Sequence, residues 1–287
     1  MTIAKISDYL MPQPANYPNN KVDWQPDSKR AVLLIHDMQR YFINFYAPDS
    51  QLIATLLQNL AQIRRWAHEH NIPVVYTAQP YEQPAEDRAL LNDMWGTGLP
   101  ASTPDQQLIV DSLAPAEGDI VLNKWRYSAF ARSDLRELMH SWNRDQLIVG
   151  GVYAHIGCMV TAIDAFMSDV QCFLVGDAVA DFSEKEHQMA LTYVSSRCGQ
   201  VVDTRTLIDS TAKKITQQWL HTRVEQLIEE DEEIDPDESL IVYGLDSLRI
   251  MQLASELKSY GIDIGFEDIA RNPTLSNWWA LIQARQQ

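Results

Sequence analysis

Six short apolar runs recur between longer amphipathic stretches over the first two hundred residues, and this alternation constrains the fold more than any other feature. The runs are Ala31 to Asp37, Ile72 to Gln79, Asp119 to Trp125, Gln146 to Tyr153, Cys172 to Asp177 and Gln200 to Thr204. They are rich in β-branched residues and lack the polar alternation of a half-exposed strand, so they read as strands buried on both faces. Between them, Gln51 to His70 carries leucine and isoleucine at helical spacing, and Ser183 with Glu186 forms a capping-box signature ahead of Met189, Leu191 and Val194. Alternating β and α units of this kind predict an α/β domain with a mostly parallel, doubly wound sheet.

In such sheets ligands bind beyond the carboxyl ends of the strands. Applied to the runs, that rule collects Asp37, Gln79, Lys124 with Trp125 and Arg126, and Tyr153 on one rim. An acid, an amide, a base and a phenol at one edge predict a site. His36 precedes the acid, so strand alternation predicts that its side chain turns to the opposite face. His155 and His187 are expected to be satisfied polar residues, and no His or Cys cluster has metal-ligand spacing, so no catalytic metal is expected.

Near Asp209 the strand pattern stops. Ile215, Trp219, Leu220, Val224, Leu227 and Ile228 form an apolar helical stripe, followed by an acidic segment from Glu229 to Glu238 and a helix opened by Ser247. Shorter helical segments at Phe266 to Ala270 and Thr274 to Ala284 complete a small four-helix, all-α domain. The reading therefore divides the 287 residues into a first domain over 1–208, a linker over 209–216 and a second domain over 217–287. No internal repeat or low-complexity tract is visible.

Charge and cysteine content narrow the function classes. The net charge of -16 opposes nucleic-acid binding, which needs clustered Lys and Arg. From Asp209 to Gln287 there are 15 acidic and 7 basic residues, a net of -8 and half the total, so the second domain suits basic-faced partners. Cys158, Cys172 and Cys198 are odd in number and irregularly spaced, which fits a reducing cytoplasm better than a disulfide framework. Residues 1–14 do not read as a signal peptide, and no apolar run approaches about 18 residues, so membrane insertion is not expected.

Tyr243-Gly244-Leu245-Asp246-Ser247-Leu248 is similar to the GxDS signature of acyl, peptidyl and aryl carrier proteins. Gly244 permits a tight turn, and Asp246 and Ser247 sit where side-chain oxygens satisfy the free amides of a helix start. Read by itself, the string describes a helix N-cap better than a modification site, and its context reverses this. The acidic helical context extends the resemblance over the whole second domain, and it implies a 4'-phosphopantetheine thiol tethered to Ser247 that carries a thioester between partner enzymes.

Four segments resemble the isochorismatase family: Leu33-Leu34-Ile35-His36-Asp37-Met38-Gln39, Tyr76-Thr77-Ala78-Gln79-Pro80, Lys124-Trp125-Arg126-Tyr127-Ser128-Ala129-Phe130, and Gly151-Val152-Tyr153-Ala154-His155-Ile156-Gly157-Cys158. The whole chain looks like the bifunctional isochorismatase and aryl carrier proteins of catechol siderophore pathways. The wider superfamily, which includes nicotinamidases, uses an Asp, a Lys and a cysteine nucleophile. Here Asp37 and Lys124 match. Counting back from Thr161-Ala162-Ile163-Asp164-Ala165 places Gly157 at the nucleophile position, with Cys158 one residue beyond and turned by about 100 degrees along a helix.

The resemblance implies hydrolysis of the enolpyruvyl ether of isochorismate to 2,3-dihydro-2,3-dihydroxybenzoate and pyruvate. A vinyl ether offers no carbonyl to attack and needs a proton on its methylene carbon, so a general acid suffices. Asp37 is the expected donor, Lys124 the stabiliser of its carboxylate, and Gly157 the space for substrate. The resemblance further places Arg88, Gln79, Trp95 and Tyr153 around the substrate, with Phe42 as an apolar wall. Implied partners are a phosphopantetheinyl transferase, a 2,3-dihydroxybenzoate-AMP ligase, a nonribosomal peptide synthetase condensation domain, and a second copy in a homodimer through the hydrolase domain. Two alternatives stay open: a Cys158-dependent amidase of the nicotinamidase type fused to a carrier, and an inactive scaffold with carrier function alone.

Overall fold

The computed structural model describes residues 3–211, 215–228, 234–260 and 262–285. The chain divides into two compact units, Met1–Thr211 and Ala212–Gln287. The helix Thr204–Thr211 takes in the first three residues of the segment read as a linker, and residues 212–214 lie outside those described.

All six expected strands form. They are β1 (Ala31–His36), β2 (Val74–Ala78), β3 (Ile120–Asn123), β4 (Gln146–Val152), β5 (Gln171–Ala180) and β6 (Gln200–Val202). Every pairing is parallel and the order is β3-β2-β1-β4-β5-β6. The central strands are buried along their whole length, which is why their sequences are continuous apolar runs. β5 runs three residues past its expected end, because a register shift between Val149 and Gly151 lets Gly151 and Val152 pair with Val179 and Ala180. Gly151 sits at φ +120, and a Cβ there would lie 2.8 Å from the His36 nitrogen and closer still to its carbonyl oxygen. Only glycine allows β4 to approach β1 this closely.

The helix Gln51–Glu69 covers one face, burying Leu52, Ile53, Leu56, Leu60, Ile63, Trp66 and Ala67 at three- and four-residue steps. Ser50 caps it by accepting from the Ile53 amide at 3.1 Å. Helices Leu135–Ser141, Met159–Phe166 and Glu184–Arg197 contribute to a second core on the other face. At the start of Glu184–Arg197 the Ser183 hydroxyl accepts from the Glu186 amide, while the Glu186 carboxylate bonds that hydroxyl. The two halves of the sequence signature thus meet on one oxygen.

The second unit forms around its own apolar core, in which Leu220, Val224, Leu253, Leu257, Ile269, Trp278 and Ile282 are buried. Its helices are Gln217–Leu227, Ser247–Ser259, Phe266–Arg271 and Leu275–Arg285. Within the acidic segment, residues 229–233 lie outside those described.

Candidate active site

The strand order reverses direction at the β1/β4 boundary, since β2 and β3 lie to one side and β5 and β6 to the other. A ligand crevice is expected at such a switch point. The chain supplies one there: a cleft of about 610 Å³, counting its open mouth, is lined by Asp37, Phe42, Gln79, Arg88, Trp95, Lys124, Tyr153 and Gly157 among others. Every residue that the sequence assigned to substrate or catalysis meets at this one place.

Asp37 leaves the end of β1 at φ +50, and is 5% exposed. Its Oδ2 accepts from Lys124 Nζ at 2.9 Å and its Oδ1 from Thr77 Oγ1 at 2.7 Å. Burial opposes ionisation, but the Lys124 charge, the His36 ring and the two hydrogen bonds outweigh it and hold the carboxyl below its ordinary range. Each ion of a buried pair costs several kcal/mol to desolvate, so the pair stabilises the fold by little and its presence points to chemistry. Lys124 is brought in by its own amide, which donates to the Ala78 carbonyl, and the loop behind it is tied to the helix Met159–Phe166 through Thr161 and Asp164.

Gln79 is fixed through its backbone. The Gln39 side chain accepts from the Gln79 amide and donates to the Gln79 carbonyl, both at 2.8 Å. Arg88 is 5% exposed; its Nε donates to the Gly96 carbonyl at 2.8 Å and its Nη1 to Gln83 Oε1 at 2.5 Å. Among the described residues no acidic side chain pairs with it, and burial lowers its pKa. Arg126 also faces the cleft, bonded to the carbonyls of Asp87 and Trp125. A buried cation without a counter-ion is costly, and an anionic ligand removes that cost. Two arginines beside the Asp37–Lys124 pair suit a ligand with two carboxylates.

Aromatic walls close the rest. Tyr153 donates its hydroxyl to the Phe42 carbonyl at 3.0 Å, and its ring packs on Phe42 and Phe182. It therefore shapes the cleft with its ring, while its phenol serves the backbone. Trp95 donates Nε1 to the Tyr127 hydroxyl at 2.8 Å.

Strand alternation misplaced His36. It lines the cleft, with Nδ1 3.8 Å from Asp37 Oδ2, because the chain turns out of the strand at Asp37 and the two neighbours no longer point apart. Its Nδ1 donates to the Val152 carbonyl at 2.8 Å, and burial pushes its pKa down to about 4. Arg126 lines the cleft as its place on the rim predicted, whereas Thr77, Tyr127, Tyr41, Phe182 and Ile3 had no sequence signal that assigned them a role. His155 bonds Asp181, and His187 lies between the Tyr9 hydroxyl and the Gly176 carbonyl, as satisfied polar residues do. Among the described residues no group of His, Cys, Asp or Glu could hold a metal ion.

Cys158 is fully buried, packs in the core beneath the sheet and does not line the cleft. Burial pushes its thiol well above the ordinary value, the opposite of an activated nucleophile. This argues against the amidase alternative.

In the second unit Gly244 takes φ +83 and turns the chain into the helix Ser247–Ser259. The Asp246 side chain caps that helix by accepting from the Arg249 amide at 2.9 Å. Ser247, one residue inside, is exposed, and its hydroxyl has no hydrogen-bond partner among the described residues. Capping and modification thus fall to different residues, and the free hydroxyl at a helix N-terminus fits a phosphodiester.

An acid–base pair at the switch point of a parallel sheet, joined in one chain to a helical unit with a free serine, defines a hydrolase fused to a carrier domain. The chain belongs to the isochorismatase family: residues 31–206 match the isochorismatase domain, and residues 218–282 match the phosphopantetheine attachment site. Enterobactin synthase component B of Escherichia coli (strain K12) is 49% identical over 282 residues, which span 98% of both chains. The isochorismatase of Bacillus subtilis (strain 168) is 44% identical over 304 residues, covering 100% of this chain and 97% of that one. Among solved structures, a cysteine hydrolase from Pseudomonas syringae pv. phaseolicola 1448A has a TM-score of 0.60 over 68% of this chain and 97% of its own. At 22% identity that likeness is one of fold alone.

Proposed function

We propose that the first domain hydrolyses the enolpyruvyl ether of isochorismate and that the second carries 2,3-dihydroxybenzoate on a phosphopantetheine at Ser247. The observation that carries the hydrolase reading is the buried Asp37–Lys124 pair in a cleft with two arginines that have no acidic partner among the described residues and no thiol at position 157. Asp37 delivers a proton to the methylene carbon of the enol ether. Water adds to the resulting oxocarbenium carbon and gives up a proton that restores the Asp37 carboxyl, and the hemiketal collapses to pyruvate and 2,3-dihydro-2,3-dihydroxybenzoate. Lys124 stabilises the carboxylate left on Asp37. In the free enzyme Asp37 is ionised; the two substrate carboxylates and the loss of water on binding raise its pKa and make it a donor in the complex.

Arg88 and Arg126 hold the carboxylates, Gln79 faces the polar part of the substrate, and Phe42, Trp95 and Tyr153 wall the apolar part. Release of pyruvate from isochorismate, followed with lactate dehydrogenase and NADH, tests this directly. A purified protein that releases none refutes it.

In the second domain, assigned to residues 217–287 behind a linker over 209–216, Ser247 offers the attachment oxygen. The attached group supplies a thiol that carries the aryl acid as a thioester. A phosphopantetheinyl transferase, a 2,3-dihydroxybenzoate-AMP ligase and a nonribosomal peptide synthetase condensation domain are the partners of this reading. Leu248 and Met251, 75% and 56% exposed on the same helix, give them an apolar contact surface. The reading places the protein in the cytoplasm as a homodimer, supported for the compartment by three buried, unpaired cysteines.

A further inference from the structure

The direction in which any side chain at position 157 would project is already filled. A Cβ built on Gly157 falls inside the His36 imidazole, nearest Cε1, 2.7 Å from Nε2 and 2.9 Å from Nδ1. The ring cannot swing away. It is wholly buried and held by the Val152 carbonyl, and the His36 backbone is itself pressed against Gly151. Two glycines of one segment are thus shaped around a single residue, Gly151 around its main chain and Gly157 around its ring.

We propose that His36 is a positioning residue that occupies the volume over residue 157, so that Gly157 is required by the imidazole and not by the substrate. The consequence for specificity is direct. With His36 in place no side chain can reach the cleft from position 157, so the site holds no attacking group there. The carboxyl of Asp37, bordered by Lys124, Thr77 and the ring, is left to move a proton. Such a cleft accepts enol ethers, which need only protonation, and leaves amides and esters, which need a nucleophile, unreacted. The inference rests on the proposed hydrolase only for its activity readout; its steric half stands without it.

A cycle of four full-length proteins tests it: wild type, Gly157→Ala, His36→Ala and the double variant, each measured for melting temperature and pyruvate release. Gly157→Ala alone should lower Tm by roughly 5 °C, the scale of overpacking in a domain of this size. It should also cut kcat/KM by about tenfold or more through displacement of the residues beside Asp37. With His36→Ala already present, the same methyl group should cost almost nothing in either measurement, because the two changes are coupled through contact. An insoluble Gly157→Ala protein rescued by His36→Ala is the same result in stronger form.

Equal penalties in both backgrounds, including failure of both to fold, overturn the inference and return Gly157 to the role of substrate space. A Gly157→Ala protein as stable and active as the wild type overturns it outright. If the wild type releases no pyruvate, the melting-temperature cycle still reads the coupling, which separates this failure from that of the hydrolase reading. Gly157→Cys adds a second check. Its thiol should react with iodoacetamide only in the His36→Ala background, and equal labelling beside an intact His36 contradicts the proposal.

Discussion

Arg88 separates a binding role from a structural one with two measurements of opposite expectation. Its guanidinium is buried, bonded only to the Gly96 carbonyl and to glutamine oxygens, and without an acidic partner among the described residues. Arg88→Met keeps most of the apolar stem and removes the charge. For folding, the lost neutral hydrogen bonds, about 1 kcal/mol each, oppose relief of an uncompensated buried charge, so stability should shift by no more than roughly 1 kcal/mol. For substrate, loss of a charge-assisted hydrogen bond costs about 1.5–3 kcal/mol, or roughly 10- to 150-fold in kcat/KM. If the arginine grips ground state and transition state alike, the change falls on KM with kcat preserved. The coupled pyruvate assay reads the kinetics and urea denaturation the stability. A variant within twofold of wild-type kcat/KM, or one whose activity loss tracks a matching loss of stability, refutes the argument.

Lys124→Met leaves the Asp37 carboxylate buried without its cation and should destabilise the protein at pH 7 by about 3–5 kcal/mol, read by urea denaturation. The sign of its pH dependence follows from the depressed carboxyl: that contribution is present above the ordinary value of 3.8 and lost as pH falls through the folded value, so acid unfolding should be less pH-dependent in the variant. Ser247→Ala should abolish the intact-mass increment produced by coenzyme A and a phosphopantetheinyl transferase while leaving pyruvate release unchanged. Cys158→Ala should retain full pyruvate release; its inactivation without loss of fold would restore the thiol mechanism.

The sequence displayed its strands because β1 and β4 lie at the centre of the sheet, and burial on both faces demands uninterrupted apolar runs. Asp37, Gln79, Lys124 and Tyr153 were legible for a related reason: a parallel sheet gathers its strand ends on one rim, so position along each run is position in space. Arg88, Trp95 and Phe42 came only from family resemblance, since they lie on short helices without periodic signal. His36 was misplaced because alternation holds only while the chain stays in the strand, and at Asp37 it does not. Tyr127, Phe182 and Ile3 come from three separate segments, and only the fold joins them. The contact between His36 and the space over Gly157 spans 121 positions of the chain, and nothing local in either segment announces it.

Turnover of isochorismate by Asp37→Asn tests the account at its centre, because the amide keeps the shape of the side chain and removes its acid. With the proton donor lost, kcat should fall by about 10²- to 10⁴-fold, the contribution of a general acid, while KM changes little. A variant that releases pyruvate at near the wild-type rate would contradict it.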